Sequence, residues 1–115
     1  MNGEALPTIL PYLTVRDARA ELHFCHEVFG GKTLKILESD DGSVAHARTQ
    51  IGKGIVMLYE EASGIIPGNG APGPDGTSPV AIRIEISQPE TVDQVFQRAL
   101  QHGAQPVIEP TERPW

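Results

Sequence analysis

Positive charge is scarce in this sequence: nine Lys and Arg stand against fifteen Asp and Glu, a net charge of -6 over 115 residues. The basic residues are scattered, with no stripe or cluster, which argues against nucleic acid or an anionic membrane as a partner. Cysteine is nearly absent. The one thiol, Cys25, cannot close an internal disulfide and suits a reducing cytosol. No apolar run approaches the length of a bilayer span, and Met1-Asn2-Gly3-Glu4 has neither the charge nor the apolar stretch of a secretion signal. There is also no Ser/His/Asp order, phosphate loop or nucleotide fingerprint. Gly68-Asn69-Gly70 and Pro72-Gly73-Pro74 are loop punctuation. The expectation is one soluble, cytoplasmic domain.

What the chain does have is a pattern that starts twice. Residues 8–15 form a short apolar strand that leads through Asp17 into an amphipathic helix. That helix stops at Phe29-Gly30-Gly31 and runs into another strand. About seventy residues downstream, 80–86 repeats the strand, Ser87-Gln88-Pro89 the turn, and Gly103-Ala104 the helix stop, with a strand-like 105–108 after it. The first copy continues with strands at 43–51 and 54–60, turned by Asp41-Gly42 and Gly52-Lys53-Gly54. The reading is an α+β fold of tandem βαβββ modules: module one at about 6–61, and an incomplete module two at 80–115. Between them, 62–79 holds five glycines and four prolines, a composition that suits either a linker or a mobile flap.

Periodicity places the residues on faces. In helix one, Asp17 is the N-cap candidate, and Ala18, Leu22, Cys25 and Phe29 form the predicted buried stripe. In helix two, Pro89 and Glu90 suit the first turn. Val92, Val95, Phe96, Ala99 and Leu100 form a stripe expected to pack on Ile82, Ile84 and Ile86. Strand alternation puts Leu13 and Val15 under helix one, with Leu10, Tyr12 and Thr14 opposite. In 43–51 it puts Ala45, Ala47, Thr49 and Ile51 on the packed face, and His46, Arg48 and Gln50 on the open one. Arg83 and Glu85 take the open face of module two. His23 and His26 lie three apart on helix one, away from that face, and read as surface residues. Cys25 reads as core filler.

Several stretches carry a family likeness. Pro11-Tyr12-Leu13-Thr14-Val15-Arg16-Asp17, Phe24 to Gly31, His46-Ala47-Arg48 through Ile51-Gly52, and Ile55-Val56-Met57-Leu58 occur in order over nearly the whole chain. Together they resemble the vicinal-oxygen-chelate superfamily of glyoxalase I, bleomycin-resistance proteins and extradiol dioxygenases, and within it the PhnB-like branch. Cys25-His26 departs from that pattern, which commonly has a tyrosine followed by a polar residue. The family usually continues after a tryptophan like Trp115 with two more strands, so the second module is expected to lack them.

The resemblance implies a site in the concavity of the sheet. Metal-dependent members hold a divalent ion on inward-facing His or Glu side chains. The matching positions here are Leu10, Met57 and Ala81, none of them a competent ligand for such an ion. The expected function is therefore metal-independent binding of a polar aromatic or organic-acid ligand, without a cofactor. Its site would comprise Tyr12, His46, Arg48, Met57, Tyr59, Arg83 and Glu85. The alternative is a divalent-metal-dependent lyase, isomerase or dioxygenase of the glyoxalase type. A homodimer is expected to cover the open edge left beside 80–86.

Overall fold

The computed structural model describes residues 6–114; Met1 to Glu4 and Trp115, which entered the sequence reading, lie outside the described residues. The chain runs β1 (Tyr12–Val15), α1 (Ala18–Phe29), β2 (Lys32–Glu38), β3 (Val44–Ile51), β4 (Gly54–Glu60), a 3-10 turn at Glu61–Ser63, and α2 (Val92–Gln101). It is a small α+β domain. The four strands form one mixed sheet in the order β1-β4-β3-β2. β1 runs parallel to β4, and the β2–β3 and β3–β4 pairs are antiparallel.

Local signals account for the first module. The Asp17 carboxylate accepts from the Ala20 amide at 3.0 Å and so caps α1. At the other end Gly30 takes a left-handed φ of 68°, with Gly30 N–H bonded to the His26 carbonyl and Gly31 N–H to that of Cys25. This paired closure needs a residue without a Cβ penalty at Gly30. Gly31 is required for a different reason: a Cβ there would stand 2.9 Å from Thr49 Oγ1 and 3.1 Å from the Cys25 carbonyl oxygen.

The core lies between α1 and one face of the sheet. Ala18 and Leu22 meet Val44, Ala47 and Leu58, flanked by Leu13, Val15 and Val56. Leu13 and Val15 thus lie under α1, as alternation predicts. The helix stripe is shifted: Val28 is buried, while Cys25 and Phe29 are half-buried. In β3 the deep residue at the start is Val44, not Ala45. The pairing runs Glu38 to Val44 and Leu37 to His46, so Ala45 is the extra residue of a bulge. A bulge inverts the alternation behind it. β2 has its own irregularity at Leu34, since Thr33 pairs with Thr49 and Lys35 with Arg48.

Glu60 ties the module together. Its Oε2 accepts from the Ala18 amide at 2.8 Å and its Oε1 from the Val44 amide at 2.7 Å. One carboxylate thereby serves the orphan N-terminal donors of α1 and the start of β3.

The second half departs from the expectation. Neither 80–86 nor 105–108 forms a strand, and Val80, Ile82, Val107 and Ile108 are exposed. Alternation supplies two faces, but a strand exists only where a neighbour completes its ladder. Here 80–86 has no such neighbour among the described residues. α2 does form, beginning at Val92 rather than in the Pro89-Glu90 turn. Thr91 caps it in a capping box, with Thr91 Oγ1 accepting from the Gln94 amide and the Gln94 side chain accepting from the Thr91 amide. Val95 is its buried residue, while Phe96 is half-buried and Val92 exposed.

α2 docks on α1 rather than on a strand. Arg98 donates from Nε and Nη2 to the Val28 carbonyl, at 2.9 and 2.6 Å. This guanidinium caps the negative end of α1. Arg98 also pairs with Glu90 at 2.8 Å.

Candidate functional site

The sheet face away from α1 is built by register. Tyr12 is opposite Met57, Met57 opposite Arg48, and Arg48 opposite Lys35. Beside this row lie Thr14 opposite Tyr59, His46 opposite Leu37, and Gln50 between Lys32 and Ile55. Paired residues share a face. Among the described strand residues, this face therefore carries Lys32, Lys35 and Arg48 and no carboxylate, in a chain of net charge -6. Of the predicted site residues, Tyr12, His46, Arg48, Met57 and Tyr59 all come together here.

Their contacts form a connected set. Arg48 Nε donates to His46 Nε2 at 2.8 Å, and His46 Nδ1 lies 3.1 Å from Tyr12 Oη. The Tyr12 ring meets the His46 imidazole edge-on at 5.6 Å and the Tyr59 ring edge-on at 5.0 Å. Tyr59 is 1% exposed and receives the Thr14 hydroxyl proton on its own oxygen. It supports Tyr12 from below, whereas Tyr12 is 40% exposed and presents its hydroxyl outward. Burial depresses the His46 pKa below the ordinary imidazole value, and the charges of Arg48 and then Lys35 press it further in the same direction. The ring is accordingly neutral near pH 7.

Arg83 and Glu85 do not join this cluster. They pair with each other at 2.8 Å with both side chains largely exposed. They line a separate cavity of about 700 Å³ between the β3–β4 turn and 82–90. Phe29, Ile51, Ile55 and Ile84 are among its walls, and none of Tyr12, His46, Arg48, Met57 or Tyr59 is.

The donor set does not fit a resident divalent metal. Leu10, Met57 and Ala81 offer no carboxylate or imidazole. Both His46 nitrogens are engaged, one by Arg48 and one by Tyr12. Among the described residues no three His, Cys, Asp or Glu side chains gather as an ion of this kind requires. His26 bonds to the Gly31 carbonyl oxygen at 3.0 Å, and His23 meets His102 of the α2 terminus with ring centroids 6.5 Å apart. Burial, then the charge of Glu21, pushes the Cys25 thiol pKa up, away from nucleophilic thiolate character.

Sequence reasoning placed Thr14 on the open face beside Tyr12 but missed Lys32 and Lys35 as neighbours of the cluster. Thr14 was legible, since it alternates with Leu13 and shares the parity of Tyr12. The two lysines were not. They are three apart, so simple alternation puts them on opposite faces, and only the irregularity at Leu34 brings them to the same one. Among the described residues, no helix is long and apolar enough to cross a membrane.

Comparison with known proteins agrees with this architecture. The uncharacterized protein Mb0911c of Mycobacterium bovis is 31% identical over 110 residues, covering 95% of this chain and 70% of the relative. The uncharacterized protein Rv0887c of Mycobacterium tuberculosis is equally similar, and the chain covers 63% of it. Among solved structures, the hypothetical protein SA1046 from S. aureus superposes with a TM-score of 0.69 at 21% identity, over 96% of this chain and 80% of that one. TioX from Micromonospora sp. ML1 does so with a TM-score of 0.57 at 20% identity, over 95% and 82%. These likenesses concern the fold. The family model for the Glyoxalase/Bleomycin resistance protein/Dioxygenase superfamily matches residues 6–115, and the chain belongs to that superfamily.

Proposed function

We propose that the protein is a metal-independent binder of a small polar aromatic or organic acid, held on the open face of the sheet. The observation that carries this reading is the charge distribution: among the described strand residues, one face of an acidic chain carries three cations and no carboxylate. A carboxylate seated there gains charge-assisted hydrogen bonds, which are roughly twice as strong as neutral ones. Tyr12 and Met57 supply apolar and aromatic surface beside it. The poor fit of the donor set to a divalent ion supports the metal-independent branch over a metal-dependent lyase, isomerase or dioxygenase of the glyoxalase type.

The exposed stretch at 80–86 supports a homodimer in which a second copy covers it. A single monomeric species in sedimentation at micromolar concentration would remove that part of the proposal. The PhnB-like likeness and the lone, half-buried cysteine support a cytoplasmic member of that branch.

The binding reading is tested by calorimetric titration of benzoate in the presence of a chelator, with benzamide as the neutral control. Benzoate is expected to bind, to weaken as salt screens the lysines, and to exceed benzamide. Binding that appears only after a divalent ion is added would overturn the metal-independent reading and favour the enzyme. Equal binding of acid and amide would overturn the role of charge.

A further inference from the structure

We infer that the open face selects a ligand oxygen that accepts a hydrogen bond, and that Tyr12 is the donor, held in that role by His46. The inference rests on the proposed ligand face and goes one step further, to the direction of each proton in it.

A guanidinium has only donors, so the 2.8 Å contact of Arg48 Nε with His46 Nε2 requires a lone pair on Nε2. A neutral imidazole carries one N–H, and with Nε2 unprotonated that hydrogen must be on Nδ1. His46 Nδ1 lies 3.1 Å from Tyr12 Oη, so the imidazole donates and the phenol accepts. An imidazolium would set an N–H of Nε2 against the N–H of Arg48. That arrangement is disfavoured by the same contact.

Tyr12 therefore spends a lone pair, not its proton, inside the protein. Among the described residues its hydroxyl has His46 as its hydrogen-bond partner. The ring is held edge-on by His46 and by the buried Tyr59. Its O–H is left to donate outward from a side chain that is 40% exposed. The hydrogen bond received from His46 polarises the phenol and makes it a stronger donor. The register puts Met57, Arg48 and Lys35 in the same row as Tyr12. A ligand group that suits this row is an oxygen with lone pairs and negative charge, such as a carboxylate or phenolate. A ligand offering an N–H or O–H there would face the donor groups of Tyr12, Arg48 and Lys35. Under this assignment His46 is a positioning residue, acting on the ligand through Tyr12.

The test has two readouts on the intact protein. In a two-bond proton–nitrogen spectrum at neutral pH, His46 is expected to show the Nδ1–H tautomer, its signals assigned by their loss in His46→Asn. A proton on Nε2 overturns the inference. In titrations with benzoate, Tyr12→Phe should weaken binding about tenfold, the effect of one hydrogen bond to a charged group. His46→Leu should weaken it by a comparable factor. His46→Asn, whose amide N–H can stand in for Nδ1–H, should recover part of the loss. If Lys35→Gln weakens benzoate but Tyr12→Phe binds like the unmodified protein, the ligand face stands and the inference falls. If benzoate fails to bind, or if Lys35→Gln binds it unchanged, the ligand face falls and the inference with it.

Discussion

Residues 12–60 and residues 62–114 carry similar local signals and reach different ends. Both contain alternating apolar strands, a capped amphipathic helix and a glycine stop. In the first stretch every strand finds a ladder partner, and α1 closes over Leu58, Ala47 and Val44. In the second only α2 becomes regular, because a helix satisfies its backbone internally while a strand depends on a neighbour. The Ile82-Arg83-Ile84-Glu85-Ile86 pattern is as clean as any in the chain, yet it has no paired strand among the described residues. The contrast teaches that amphipathic pattern specifies a face and that topology decides whether the face is used.

The largest expected effect separates the two halves directly. Leu58→Ala should cost about 3 kcal/mol in urea unfolding, as buried leucine truncations do. Ile82→Ala, measured below the concentration at which two copies pair, should change stability by less than about 0.5 kcal/mol, as exposed substitutions do. Comparable losses would break the contrast and place 80–86 in a core.

Arg98 is where the halves are joined. Arg98→Ala removes two hydrogen bonds to the Val28 carbonyl and should cost about 2 kcal/mol in the same unfolding measurement. Most of that belongs to the helix-terminal carbonyl. The more exposed pairing with Glu90 adds little. A neutral result would mean that α2 is tethered by its apolar contacts alone.

A change of opposite sign probes how well the first half is optimised. Thr49 is fully buried, and among the described residues its hydroxyl finds no hydrogen-bond partner. Thr49→Val keeps the shape and removes the buried oxygen, which should stabilise by about 1 kcal/mol. Destabilisation in thermal melting would show that the hydroxyl is satisfied after all.

The smallest effect is a pH dependence from His46. Its folded pKa is lowered, first by burial and then by Arg48 and Lys35, so below the unfolded value the unfolded chain binds the proton more readily. The stabilisation from a neutral His46 is fully present above the ordinary imidazole pKa of about 6.5 and is lost as pH falls through it toward the folded value. His46→Asn should remove that slope between pH 7 and 5. A slope that persists unchanged would assign it to other groups.

Much of the candidate site was legible because β1 and β4 obey plain alternation. Tyr12 reads across from Thr14, and Met57 from Tyr59, by counting in twos. His46 and Arg48 were also readable, since the bulge at Ala45 precedes them. What stayed hidden depended on breaks in that count. Lys32 and Lys35 share a face only because of the irregularity at Leu34, and Val44 displaces Ala45 from the core for the same kind of reason. Arg83 and Glu85 were assigned to the site on the premise that 80–86 joins the sheet. Without that ladder they line a different cavity.

By itself the sequence determined the element order of the first module, its turns at Asp41-Gly42 and Gly52-Lys53, its cap at Asp17 and its helix stop at Gly30. Each of these is a local matter of backbone conformation and neighbouring side chains. Only the tertiary structure decided that one carboxylate, Glu60, would serve both α1 and β3, that Arg98 would close the end of α1, and that three cations would gather beside Tyr12 on one face. Those outcomes depend on strand register and helix docking, which bring together residues far apart in the chain and have no signature in any short window of it.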